Sequence, residues 1–148
     1  MADTENFNYK KVVEDIEETI ATLRPPKTIL LIDDDPNDID ITRRLLAKFH
    51  TKVTACRTGE EARIEITNHK FDLVLFDLVM PGLDGLEFFL GTAGLQPGAH
   101  FILVTGYPLS PKVDAVLRLG AVMLAKPLTE SSLEMLLPRK TTFEPDSP

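Results

Sequence analysis

FDLVLFDLVMPGLDG, residues 71–85, is the stretch on which the choice of fold turns. From Phe71 to Phe76 it is almost wholly apolar, which suits a strand buried on both faces. Asp77 follows, a carboxylate placed where the interior should still be dry. A buried charge without partners costs several kcal/mol or more, so partners for Asp77 are predicted at the carboxyl end of this strand. Pro81-Gly82 and Asp84-Gly85 mark the turn beyond it.

Working outward, the same pattern repeats. TILLI (28–32), KVTAC (52–56), HFILVT (100–105) and AVMLA (121–125) are further short apolar runs. Helical segments separate them. Asp35 is placed to cap a helix with Pro36 at its first position, running to about Phe49. Thr58 caps a helix over Gly59–Asn68, and Glu61 completes a capping-box pattern. Further helices are predicted around Leu86–Gly94, over Pro111–Leu119 with Gly120 beyond its end, and over Ser131–Leu137 before Pro138. Strands alternating with helices predict an α/β fold, a doubly wound five-stranded parallel sheet covered on both faces.

In such a sheet every strand ends on the same edge, where ligands of open α/β sheets bind. The first strand runs into Asp33-Asp34-Asp35, the third into Asp77, the fourth ends in Thr105 and the fifth in Lys126-Pro127. Carboxylates, a hydroxyl and an ammonium therefore converge on one cleft. Clustered carboxylates repel one another, and a hard divalent cation such as Mg²⁺, which takes oxygen ligands, relieves the repulsion. An aspartate beside such a cation can act as a nucleophile toward a phosphoryl group. The charge on the transferring oxygens would then be met by the cation, Lys126 and Thr105. Asp77 is the expected phosphoryl acceptor.

With ILLIDDD, DLVLFDLVMPGLDG, ILVTG and AKP in this order and spacing, residues 27–137 resemble the receiver domain of two-component response regulators. The resemblance implies a CheY-like, flavodoxin-like sheet of strand order 2-1-3-4-5. It implies phosphorylation of Asp77, with Mg²⁺ held by Asp34 directly, by Asp33 mainly through water, by Asp77, and by the backbone carbonyl of Val79. Lys126 would contact the phosphoryl group from a cis Lys126-Pro127 peptide, and Thr105 would swing toward it. Met80-Pro81-Gly82 and Asp84-Gly85 would shape the adjoining loop. The phosphoryl donor would be a sensor histidine kinase or a histidine phosphotransfer protein. Catalysis would extend only to the chain's own phosphotransfer and dephosphorylation, so no enzyme acting on outside substrates is expected.

The pattern departs from the family at Met123, where receivers usually carry Tyr or Phe, so the coupling of that position to Thr105 is expected to be weakened or rerouted. Val79 and Tyr107 offer no group to orient an attacking water, and slow self-dephosphorylation is expected. Two rival readings stay open. One is a pseudo-receiver, a phosphorylation-independent interaction or dimerisation module. The other is a Mg²⁺-dependent phosphohydrolase, against which stands the absence of any segment long enough to form a cap.

Before the domain, Tyr9, Val13, Ile16, Ile20 and Leu23 form an amphipathic stripe that Arg24-Pro25-Pro26 ends. Residues 1–26 are read as this helix and a linker, free to pack on the domain, to dimerise or to stay unordered. Residues 138–148 read as a disordered tail. With no output domain expected after the last helix, signalling would pass through an unknown partner protein or through a phosphorelay. The net charge of −7 argues against nonspecific nucleic-acid binding. A single cysteine, Cys56, excludes an intrachain disulfide and suits a core position in a cytoplasmic protein. No apolar run approaches a membrane span. His50, His69 and His100 lack ligand spacing, and Arg43-Arg44 reads as a solvated helix face.

Overall fold

The computed structural model describes residues 8–23, 28–49, 51–80 and 82–137. The elements follow the predicted alternation: α1 (Tyr9–Leu23), β1 (Thr28–Ile32), α2 (Pro36–Leu46), β2 (Lys52–Cys56), α3 (Gly59–Asn68), β3 (Leu73–Asp77), β4 (Val79–Met80), β5 (Leu83–Asp84), α4 (Gly85–Thr92), β6 (His100–Thr105), α5 (Pro111–Arg118), β7 (Val122–Ala125) and α6 (Glu130–Glu134). Five strands form an all-parallel sheet in the order β2-β1-β3-β6-β7, which is 2-1-3-4-5 when the sheet strands are counted along the chain.

Alternation along each strand divides the core between two faces. Leu30, Ile32, Val74, Phe76 and Leu103 point to the side covered by α3, α4 and α5, where they meet Ile66, Phe88, Phe89, Val113 and Val116. Ile29, Leu31, Leu73, Leu75, Ile102 and Val104 point to the opposite side, against Leu46, Phe49, Leu133 and Leu137. A strand buried on both sides has no polar face to show, which is why these runs are continuous rather than alternating. Phe76 anchors the first layer, stacked on Phe89 with ring centroids 6.0 Å apart and edge-on to Phe101 at 6.2 Å.

The starts of α2, α3 and α5 are those the sequence predicted. The Asp35 carboxylate accepts from the Asn37 amide at 2.9 Å, and the Thr58 hydroxyl accepts from the Glu61 amide at 3.1 Å. Glu61 does not close the expected capping box. Its carboxylate takes the Arg57 amide at 3.3 Å. Gly120 has φ +104°, the left-handed backbone that favours glycine just past a helix end.

Several boundaries differ. The third strand spans Leu73–Asp77 rather than Phe71–Phe76, because Asp77 still pairs with Val104 in the ladder while its side chain leaves the core. The loop after it contains a two-stranded antiparallel hairpin, Val79 opposite Asp84 and Met80 opposite Leu83, and α4 starts at Gly85. The last helix is shorter and earlier than Ser131–Leu137: Thr129 caps Glu130–Glu134, with Leu133 and Leu137 still buried.

Along α1 the stripe is not covered by the domain at Val13 and Ile16, which are 52% and 53% exposed. The side chains of Ile20 and Leu23, and the tail from Pro138, lie outside the described part, as does His50. Cys56 is buried, His69 and His100 are exposed, and Arg44 pairs with Asp40 at the surface. Among the described residues no helix is long and apolar enough to cross a membrane.

Candidate phosphoacceptor site

The parallel sheet delivers its strand ends to one edge, and the polar residues gather there. Asp33 and Asp34 follow β1, Asp77 ends β3, Thr105 ends β6, and Lys126 follows β7. The Lys126 amide donates to the Thr105 carbonyl at 2.8 Å, extending the β6–β7 ladder by one bond. Lys126-Pro127 is a cis peptide.

The partner demanded by Asp77 is Lys126. Its ammonium lies 2.8 Å from Asp77 Oδ2, 3.2 Å from Asp33 Oδ2 and 3.2 Å from Asp38 Oδ2. Only 14% of the Asp77 side chain is exposed, so this is a partly desolvated ion pair rather than a surface one. Asp33 also accepts the Asp35 amide on its other oxygen at 3.0 Å. One carboxylate oxygen from each of Asp33, Asp34 and Asp77 lies within 4.8 Å of the others. A cavity of about 240 Å³ opens beside them, walled by Asp33, Asp38, Asp77 and Lys126 on its polar side.

The electrostatics show a site short of positive charge. Burial raises the Asp33 carboxyl above its usual range; the Asp35 amide and Lys126 oppose this without cancelling it, and Asp77 adds to it. Burial works against the Lys126 ammonium too, but Asp77 and then Asp33 outweigh it and hold the lysine above its ordinary range. One lysine thus stays firmly charged among carboxylates that it only partly neutralises. Oxygen donors this close suit a hard cation such as Mg²⁺.

Thr105 is fully buried, and its hydroxyl accepts the Tyr107 amide at 2.9 Å. Tyr107 itself is 72% exposed. Met123 is half-buried against the α3–α5 side of the core. Asp84 caps α4 and pairs with Lys112 at 3.0 Å. Gly85 lies against the backbone of Asp77 and Leu78, and its amide donates to the Leu78 carbonyl at 2.9 Å.

Sequence reasoning missed two residues. Asp38 reads as an ordinary acidic residue in the first turn of a helix, yet its side chain reaches Lys126. Gln96 reads as a loop residue, yet it is buried. It accepts the Phe71 amide and donates to the Ile66 and His69 carbonyls, closing the backbone below β3. No local pattern marks either one.

Comparison with known proteins gives the same reading of the fold. Residues 29–137 match the family model of the response regulator receiver domain. Transcription factor SKN7 of Candida albicans is 32% identical over 80% of this chain, and the transcriptional regulatory protein GlrR of Escherichia coli 33% over 73%. The matched region spans only 22% and 24% of those two proteins. Among solved structures, a CheY-like receiver domain protein from Methanospirillum hungatei superposes with TM-score 0.69 and 33% identity, covering 74% of this chain and 88% of that one. A response regulator from Burkholderia pseudomallei, with a phosphorylated aspartic acid and a calcium ion, has TM-score 0.69 and 28% identity, over 75% of this chain and 66% of its own. The motifs at the strand ends, the sheet order and these matches together place the chain in the family of response regulator receiver domains of two-component signalling.

Proposed function

We propose that the chain is a phosphoacceptor response regulator, phosphorylated on Asp77 from a phosphohistidine of a sensor kinase or histidine phosphotransfer protein. The observation that carries the reading is the Lys126 ammonium 2.8 Å from Asp77 Oδ2, beside carboxylate oxygens of Asp33 and Asp34. An Asp77 oxygen attacks phosphorus, the P–N bond to the donor histidine breaks, and the imidazole nitrogen leaves with the bonding pair. Later, water attacks the same phosphorus and returns the carboxylate and inorganic phosphate. Lys126 meets the charge on one phosphoryl oxygen. The Thr105 hydroxyl, which accepts the Tyr107 amide on a lone pair, keeps its O–H free to donate a hydrogen bond to another. Asp33, Asp34, Asp77 and the Val79 carbonyl would hold Mg²⁺, which when bound supplies positive charge to the phosphoryl oxygens. Chemistry is confined to this cycle on the chain itself.

Output passes to a partner protein in the cytoplasm, a compartment that suits the free thiol of Cys56. The exposed Val13 and Ile16 favour a second copy of α1 as the cover for its stripe. Sedimentation should then give a dimer that Ile16→Glu dissociates, and a monomeric wild type would remove this part. The receiver reading itself is tested with acetyl phosphate and Mg²⁺, followed by intact mass. Gain of one phosphoryl group, absent in Asp77→Asn, is the expected result. A folded, Mg²⁺-binding protein that gains none from acetyl phosphate or from a phosphorylated histidine phosphotransfer protein favours the interaction-module reading.

A further inference from the structure

Lys126 has three N–H donors and uses them on three carboxylates. Asp33 and Asp77 belong to the oxygen cluster that suits a cation, whereas Asp38 does not. It comes from the first turn of α2, whose cap residue Asp35 donates its amide to Asp33, just past β1, at 3.0 Å. The Asp35 side chain takes the Asn37 amide at 2.9 Å, and the Asp35 carbonyl takes the Ile39 amide at 3.0 Å. Asp38 is therefore carried by a rigid element to a point 3.2 Å from the ammonium, on the more open side of the site, with 39% of its side chain exposed.

We propose that Asp38 is a positioning residue that holds Lys126 at the phosphoacceptor while Asp33 and Asp77 are engaged elsewhere. The proposal rests on the receiver reading and deepens it. During transfer, Asp77 becomes an acyl phosphate, and Asp33 is shared with the cation. Two of the three contacts that fix the lysine are then weakened. Its four-carbon stem is flexible, and Asp38 is the carboxylate that restrains it throughout. The bland alternative is that Asp38 only favours the positive end of the α2 dipole. That role would change stability without acting through Lys126.

A double-mutant cycle on the chain of residues 1–148 separates the two. Phosphorylation by acetyl phosphate is followed by intact mass across donor concentrations for wild type, Asp38→Ala, Lys126→Ala and the double variant. Asp38→Asn serves where Asp38→Ala melts early. Asp38→Ala should lower the saturated rate about tenfold, the scale of one lost charge-assisted contact, with the half-saturating donor concentration unchanged. In the Lys126→Ala background the same change should move the rate less than about twofold. Where that background is too slow to read, nuclear magnetic resonance of the lysine ammonium groups decides, with Mg²⁺ and beryllofluoride present. The Lys126 signal, assigned by Lys126→Arg, should be protected from exchange in wild type and lost in Asp38→Ala. Equal rate losses in both backgrounds, or a Lys126 signal indifferent to Asp38, would overturn the tether and leave the receiver reading intact. A wild type that behaves like Asp77→Asn would overturn both.

Discussion

At Gly85 the start of α4 packs directly on the strand end that carries Asp77. A Cβ placed there meets the Asp77 carbonyl oxygen at 2.6 Å, and Leu78 Cα and O at 2.9 Å each. All three are backbone atoms. Asp77 is held in the middle of the sheet by its pairing with Val104, so it cannot retreat. In Gly85→Ala the start of α4 must back away instead, stretching the 2.9 Å bond from the Gly85 amide to the Leu78 carbonyl. Overpacking of this kind costs about 1–3 kcal/mol, and a weakened buried hydrogen bond adds about 1 kcal/mol. Alanine returns about 1 kcal/mol through helix propensity, so the net loss is roughly 1–3 kcal/mol. In a domain of this size that lowers Tm by roughly 4–12 °C. At Gly91, in the last turn of the same helix, an added methyl meets nothing within 4 Å. Gly91→Ala should therefore stabilise, by about 0.5–1 kcal/mol. Urea and thermal unfolding of the two variants, side by side, make the comparison. Opposite signs are expected; a Gly85→Ala protein as stable as wild type would refute the reasoning, because it would mean the strand end can yield.

Two further outcomes follow from the electrostatics. The Lys112 hydrogen bond holds the Asp84 carboxyl below its usual range, so the stabilisation it gives is present above about pH 4 and lost as pH falls through the folded-state value. Asp84→Asn keeps an N-cap but removes the charge, so it should cost a few tenths of a kcal/mol to about 1 kcal/mol at pH 7 and nothing in strong acid; a pH-independent difference in urea midpoints would contradict the pairing. Burial, then Glu61 and Glu65, push the Cys56 thiol up to about 11. At pH 8 a thiol reagent should label the folded chain at least roughly 100-fold more slowly than the urea-unfolded chain, and equal rates would show that β2 opens readily.

The strands were legible because burial on both faces leaves no choice of residue type. TILLI, LVLF and FILV can be little else in a chain of this composition. Their order was legible only through the motifs at their ends, since an apolar run carries no mark of its neighbours. The Val79–Met80 and Leu83–Asp84 hairpin was not legible: two residues have no period, and its pairing serves the turn rather than the core. The end of β3 was set one residue early because side chain and backbone part company at Asp77. The backbone stays in the ladder and the carboxylate does not stay in the core.

The same distinction explains Asp38. Strand-end residues could be assigned to one edge because the parallel sheet fixes where each strand stops. A side chain projecting from the adjoining helix has no such rule, and an acidic residue in a first helical turn already has an ordinary reason to be there. What makes Asp38 more than that is a distance, 3.2 Å to Lys126, and a distance depends on how α2 leans across the sheet edge. That lean is set by Leu46 and Phe49 packing onto Ile29, Leu31 and their neighbours. The reach of Asp38 is thus a product of core packing on one face of the sheet, and its chemistry is exerted at the edge. Trimming that packing, rather than Asp38 itself, should loosen Lys126 by the same route.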